Sequence, residues 1–196
     1  MEENKMWASA APLANLATGV MIFSLWSLLF GVASPVAVIG ALPWIGVAFP
    51  IMLIAIVICF KNGDIVGGTV NAVLTGMTLC QNGFKGIIVL MFTTAGVPMP
   101  EALGAGMAMI DAGAYIAAFL VLLCVLAILI KAGDKVFAFF IAVVATGFFS
   151  LAVTNLGFAN LGLVAAVCLT TFGCWLIYSG CAMLMENVFG KKILPY

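Results

Sequence analysis

Residues 104–130 read GAGMAMIDAGAYIAAFLVLLCVLAILI and contain one charged side chain, Asp111. A helix that crosses the hydrocarbon core of a bilayer needs about 20 apolar residues. The stretch therefore predicts a transmembrane helix. It ends at the polar segment 131–135, KAGDK, and the same division of long apolar runs by short polar segments recurs along the chain.

This pattern predicts an all-α integral membrane protein with six transmembrane helices. The expected spans are about 13–33, 36–60, 65–85 with a possible extension to 97, 104–130, 136–153 and 159–185. They leave almost no room for a soluble part, so residues 1–196 are expected to form a single membrane domain. Backbone groups in lipid must be paired within helices or a closed barrel. The runs lack the strict alternation of barrel strands, which favours helices.

The composition excludes several classes of function. Hydrophobic residues make up 66% of the chain and charged residues 7%, with seven Lys balanced by seven Asp and Glu and no His. An average globular domain carries about a quarter charged residues. A nucleic-acid binder needs a basic face, and most acid–base or metal sites need His or clustered carboxylates. We therefore expect no enzyme activity, no metal, no cofactor and no nucleic-acid partner.

The lysines predict the orientation of the chain. Cytoplasmic loops of membrane proteins carry an excess of Lys and Arg. The lysines fall before the first span and after the second, fourth and sixth, at Lys5, Lys61, Lys131, Lys135, Lys191 and Lys192. Both termini are therefore expected in the cytoplasm, in a protein of the cytoplasmic membrane. Lys85 lies roughly 30 Å along a helix that begins at residue 65, where it is expected to reach the external headgroups.

Uncharged polar residues interrupt the apolar spans at helical spacing. Asn15 and Thr18 lie one turn apart in the first span, and Asn71 and Thr75 lie one turn apart in the third. Such pairs often form hydrogen bonds between helices. Several of them on different helices also favour a shared polar path. Asp111, in the outer third of the fourth span, is a candidate for the external mouth of that path because intramembrane carboxylates are usually functional.

Four short motifs, in order, resemble the acetate uptake transporter family. The stretch 11–19, APLANLATG, resembles the N-P-A-P-L-G-L-x-G-F signature that opens the family. The stretch 61–67, KNGDIVG, is similar to the family's K-x-G-[ND]-x-x-G, and 151–155, LAVTN, is similar to L-A-x-x-N. The end of the chain, 178–195, carries the Tyr, Phe-Gly and Leu-Pro of the family's ending.

The resemblance implies six-helix protomers, each with its own pore, assembled as a hexamer that passes acetate and similar small monocarboxylates with protons. Carried over by position, the family's narrowest constriction falls on Thr18, Leu74 and Val144. Thr18 stands where the family has Phe, and Leu74 where it has Tyr, so the ring is less bulky and non-aromatic. The path beside it is expected to be lined by Asn15, Asn71, Thr75 and Asn155, with Asp111 at the mouth.

Other functions remain open from the sequence. A channel for a small neutral solute, such as urea, a short amide or ammonia, would use the same uncharged lining. That channel would carry flux independent of a proton gradient, whereas a carboxylic-acid permease would carry more flux as external pH falls. A membrane scaffold or accessory subunit without a pore is a third hypothesis.

Overall fold

The computed structural model of the chain describes residues 8–195, apart from the side chains of residues 35, 80 and 81. All the regular secondary structure in this part of the chain is helical. The α-helices are α1 (Ala11–Ser24), α2 (Trp26–Leu29), α3 (Val38–Lys61), α4 (Ile65–Thr78), α5 (Lys85–Ala95), α6 (Glu101–Ala132), α7 (Lys135–Asn155) and α8 (Gly162–Phe189). A π-helical turn, Leu79–Phe84, joins α4 to α5. Lys5, which the orientation prediction uses, lies outside the described residues.

Within the described residues, five helical runs are long and apolar enough to cross a membrane: α3, the continuous run Ile65–Ala95, α6, α7 and α8. Large apolar side chains cover their outer faces. Trp44 is 62% exposed, Phe139 61% and Leu163 69%. Such a surface suits lipid rather than water. The chain is an all-α, multi-pass membrane protein.

Helix α1, in the first apolar segment, is too short to cross a membrane by itself. The sequence predicts one helix over 13–33, whereas the structure divides this segment into α1 and α2 at Leu25. The Ser24 hydroxyl donates to the Met21 carbonyl at 2.8 Å. The Leu25 amide donates to the Ile22 carbonyl instead, at 3.1 Å. A serine that bonds back to the preceding turn competes with the helical ladder and bends it.

Two similar turns reverse the chain at the same end of the bundle. Gly63 and Gly133 follow α3 and α6 with φ of 77° and 83°, a left-handed conformation that glycine adopts without steric cost. Asp64 then accepts a hydrogen bond from the amide three residues on, at 2.8 Å, and Asp134 does the same at 3.0 Å. Both carboxylates are N-caps, of α4 and α7 respectively.

Helix α1 packs against α3, α4 and α8. Glycines let α1 and α8 approach closely. A Cβ on Gly19 would lie 2.7 Å from Ile177 Cγ1 and 2.9 Å from its amide nitrogen, and a Cβ on Gly180 would lie 2.8 Å from Leu16 Cγ. The main core lies beside this pair, between the inner faces of α4, α6, α7 and α8.

Candidate functional site

A cavity of about 340 Å³ opens at the end of the bundle where the two aspartate-capped turns lie. It is called the Asp64 cavity below. Helices α1, α3, α4, α6, α7 and α8 all contribute to its wall. Its lining residues are Ala11, Asn15, Cys59, Asp64, Val66, Gly67, Val70, Asn71, Leu129, Asp134, Val136, Phe137, Trp175, Leu176 and Met183.

A second cavity, of about 270 Å³, lies toward the other end of α1, α4, α6, α7 and α8, and α2 and α5 also contribute to it. It is called the Lys85 cavity below. Its wall is apolar toward the bundle centre and polar toward the outside. Its lining residues are Ile22, Leu25, Leu29, Leu74, Met77, Thr78, Asn82, Lys85, Tyr115, Phe148, Leu151 and Leu169.

Helix α1 shows how little separates the two cavities. Asn15 lines the Asp64 cavity and Ile22 lines the Lys85 cavity. The helical rise places these two residues roughly 10 Å apart. Thr18 lies between them and is 0% exposed. On α4 the residues that line the two cavities are closer along the helix. Asn71 lines the Asp64 cavity, and Leu74, three residues further on, lines the Lys85 cavity.

Along α1, α4, α7 and α8, several side chains that are at most 2% exposed lie at or between the residues that line the two cavities. We call them the buried layer: Thr18, Leu74, Ile141, Val144 and Phe172. The three constriction residues expected from the family resemblance belong to it. Leu74, Val144, Ile141 and Phe172 share one apolar cluster. The layer contains no charged side chain, and its only polar group is the Thr18 hydroxyl.

Sequence reasoning missed two members of the buried layer, Ile141 and Phe172. The sequence around Phe172, CLTTFGCWLI over 168–177, does not show which face of α8 is buried. Trp175, one turn further along α8, packs against Phe172 with ring centroids 5.8 Å apart. Only the packing of α8 against α1 and α7 places Phe172 between the cavities.

Polar contacts connect side chains at the inner edge of the buried layer, the edge that faces the Asp64 cavity. The Thr18 hydroxyl lies 3.2 Å from Met52 Sδ and 3.4 Å from Asn71 Oδ1. The Asn71 amide nitrogen donates to the Gly67 carbonyl at 2.9 Å. Asn71 is 6% exposed and still lines the Asp64 cavity. Thr18 and Asn71, expected to lie on one path, do come together.

Asn15 lines the Asp64 cavity one turn before Thr18. Its amide nitrogen donates to Ser179 Oγ at 3.1 Å and lies 3.8 Å from Met183 Sδ. Both partners are on α8. The expected lining residues Asn15 and Asn71 therefore share one cavity.

Thr75 and Asn155, the other two expected lining residues, lie outside both cavities. Thr75 is 3% exposed, and its hydroxyl has no hydrogen-bond partner among the described residues. It does not line either cavity. Asn155 is the half-buried last residue of α7 and also lies outside both linings. The structure does not bring these two expected residues to the cavities.

Asp111 forms an ion pair with Lys85, which joins α6 to the start of α5. The sequence predicts that the Lys85 ammonium reaches the external headgroups; in the structure it also pairs with a carboxylate on a neighbouring helix. The pairing arises because α6 packs beside α4, where the π-helical turn leads into α5. The Lys85 side chain is 27% exposed and that of Asp111 is 14% exposed. Asp111 thus lies next to the Lys85 cavity, in contact with Lys85, without lining the cavity itself.

The Asp64 cavity is lined by negatively charged side chains, whereas the Lys85 cavity is lined by a positively charged one. Asp64 and Asp134 both line the Asp64 cavity, and its described lining residues include no lysine. Each carboxylate keeps one oxygen on a backbone amide of its own helix. Within the described residues, no cluster of His, Cys, Asp or Glu could hold a metal ion.

The structure resembles one solved channel over almost its whole length. It matches the structure of the bacterial acetate channel SatP with a TM-score of 0.77, over 96% of this chain and 98% of that chain. The chain shares the fold of that protein. The all-helical membrane fold expected from the family resemblance is therefore confirmed, although the two sequences are only 19% identical. A scan against protein-family models gives no match, and neither does a search of curated proteins.

Proposed function

We propose that this chain is a membrane channel or permease for acetate and similar small monocarboxylates, and a member of the acetate uptake transporter family. The proposal includes six spans, because α1 and α2 together cover Ala11 to Leu29, roughly 28 Å of helix. It also includes cytoplasmic termini, one pore in each protomer and a homo-hexamer. The fold shared with the acetate channel supports the substrate class.

The observation that carries the proposal is the pair of cavities on opposite sides of the thin buried layer. A transport path needs an entrance and an exit, separated by a barrier that a small solute can pass. The two cavities are about 270 and 340 Å³, large enough for a molecule with four heavy atoms. With cytoplasmic termini, the Lys85 cavity faces outside and the Asp64 cavity faces the cytoplasm.

The uncharged layer favours passage of the neutral acid. Transferring a carboxylate to the centre of a bilayer costs about 3 kcal/mol or more, and the layer supplies no cation to offset this cost. A monocarboxylate that takes a proton from the external solution avoids most of it. After passing Thr18 and Leu74, the acid reaches the Asp64 cavity and ionises. Asp64 and Asp134 line this cavity, so their charge disfavours a long stay of the anion there.

The test is acetate flux into proteoliposomes of the purified protein at external pH 5 and pH 7. We expect flux above that of empty liposomes, greater at the lower pH because more of the acid is neutral there. Flux that is absent at both values would refute the proposal. Native mass spectrometry of the same preparation counts the protomers, and a hexamer is expected.

The second candidate is a channel for a small neutral solute, such as urea, a short amide or ammonia. The amides of Asn15 and Asn71 in one cavity favour it, because they offer both donors and acceptors to an uncharged polar solute. Urea flux measured in parallel separates the candidates. Urea flux without acetate flux, unchanged between pH 5 and pH 7, would favour the neutral solute.

A further inference from the structure

Lys85 stands where the deeper Lys85 cavity meets an open groove. Lys85 and Asn82 line both that cavity and a groove of about 580 Å³, whose wall also contains Leu28, Ser34 and Val89. A solute that moves from the groove into the cavity therefore passes these two side chains. Lys85 is the one charged residue in the described lining of either space.

The ion pair leaves the lysine available to a solute. A Lys ammonium has three donors, and Asp111 contacts it from α6 without lining the cavity itself. Asp111 is also the less exposed of the two side chains, at 14% against 27%. The Asp111 carboxylate therefore contacts Lys85 from outside the cavity lining, while Lys85 itself lines the space that a solute would enter.

The rest of the wall suits a short acid with an apolar tail. Thr78 donates its hydroxyl proton to the Leu74 carbonyl at 2.9 Å. Asn82 adds amide donors at the outer end. At the inner end, Ile22, Leu74 and Leu169 form an apolar floor next to the buried layer. A carboxylate at Lys85 would direct its methyl group toward that floor.

We propose that the Lys85 cavity is a capture site for one monocarboxylate anion, in which Lys85 binds the carboxylate and Asp111 is its built-in competitor. The inference rests on the proposed function, and it adds the residue that distinguishes an anion from a neutral solute. An incoming carboxylate binds the ammonium beside the Asp111 carboxylate and weakens the Lys85–Asp111 ion pair. It then takes a proton from the external solution and leaves Lys85 as the neutral acid before it enters the uncharged layer. The site holds one cation, so a dicarboxylate would keep its second charge unpaired and bind more weakly.

The first experiment measures the acetate concentration that gives half-maximal flux in Lys85→Gln. A hydrogen bond to a charged group contributes about 1.5–3 kcal/mol, so we expect this concentration to rise about tenfold or more. The ratio of acetate to acetamide flux should fall by a similar factor, since acetamide has the shape of acetate without its charge. In Asp111→Asn the half-maximal concentration should fall, because the competitor is removed.

The double variant Lys85→Gln with Asp111→Asn separates capture from a structural role. It leaves no unpaired charge between α5 and α6, so it should fold. It should also need about tenfold more acetate, as Lys85→Gln does. Wild-type affinity in the double variant would mean that the ion pair is only structural, and would overturn the inference. Lys191→Gln, an exposed lysine beyond α8, is the matched control and should behave as wild type.

Acetate binding to the solubilised full chain, measured by titration calorimetry, distinguishes the two proposals. Binding that requires Lys85, without any wild-type flux, would support capture and overturn the transport proposal. Wild-type acetate flux whose half-maximal concentration is unchanged in Lys85→Gln would overturn capture and leave transport standing.

Discussion

The Asp64 cavity and the Lys85 cavity hold their charges in different ways. Asp64 and Asp134 each bind a backbone amide three residues further along their own helix. The Lys85 ammonium instead pairs with Asp111, which lies on another helix. The first arrangement needs only a local turn, whereas the second needs α5 and α6 to be packed together. The Asp64 cavity therefore carries carboxylates that local turns hold in place, and the Lys85 cavity carries an ammonium that tertiary packing holds in place.

The largest expected effect comes from closing the passage between the cavities with Leu74→Trp. Leu74 is 2% exposed and borders the Lys85 cavity, which offers space for the larger ring. We expect acetate flux in proteoliposomes to fall to that of empty liposomes. Leu163→Trp, on a 69% exposed residue of α8, is the matched control and should retain flux.

A substitution that makes the side chain at position 74 smaller keeps this prediction testable if the Leu74→Trp variant folds poorly. Leu74→Ala removes bulk from the buried layer and should raise acetate flux, in spite of a stability loss of about 2–5 kcal/mol. Flux that stays at the wild-type value in both folded variants would remove Leu74 from the barrier.

Gly19→Ala tests the packing that keeps the cavities apart. The added Cβ would lie 2.7 Å from Ile177 Cγ1 and 2.9 Å from the Ile177 amide nitrogen, so α1 must move away from α8. Overpacking of this kind costs about 1–3 kcal/mol. We expect a lower thermal midpoint in detergent. Gly113→Ala on α6, where a Cβ meets nothing within 4 Å, should leave the midpoint unchanged or raise it.

Thr18→Val tests the polar contacts at the inner edge of the layer. Valine matches threonine in shape but removes the donor that lies 3.4 Å from Asn71 Oδ1. Leaving that buried oxygen unpaired should cost about 1–2 kcal/mol of unfolding free energy. Thr93→Val, at an exposed residue whose hydroxyl donates to its own helix, is the control and should change little. Equal effects at the two positions would contradict a special role for Thr18.

The smallest expected effect is that of Asp64→Asn on acetate binding from the proposed cytoplasmic side. Asparagine still caps the helix but removes one negative charge from the cavity. A unit charge acting over roughly 10 Å through solvent contributes under about 1 kcal/mol. The half-maximal acetate concentration for efflux should therefore fall about threefold. Asp134→Asn should do the same. A similar fall for influx would show that the effect is not specific to this cavity.

Much of the fold could be predicted from the sequence. Long apolar runs and the turns at Asp64 and Asp134 depend on residues that are neighbours in the chain, and both appear where expected. The break in the helix at Leu25 was not expected, because it depends on which backbone carbonyl accepts the hydrogen bond from the Ser24 hydroxyl. Nothing in the surrounding composition distinguishes that serine from one that faces lipid.

The candidate site was only partly predictable. Thr18, Leu74 and Val144 came from position in a family motif rather than from any physical pattern, and all three lie in the buried layer. Whether they form the constriction remains a proposal. Thr75 shares helical spacing with Asn71 but does not line either cavity, because spacing fixes a face of one helix and says nothing about what covers it.

The sequence by itself determined that this protein lies in a membrane as a bundle of helices, since a chain that is 66% hydrophobic can pair its backbone in lipid in few other ways. Only the tertiary structure decided which apolar residues face lipid and which form the layer between the cavities. Phe172 and Phe139 are both phenylalanines in apolar helices, yet one is 0% and the other 61% exposed. Lipid and protein interior are equally apolar, so hydrophobicity cannot separate them and helix packing must.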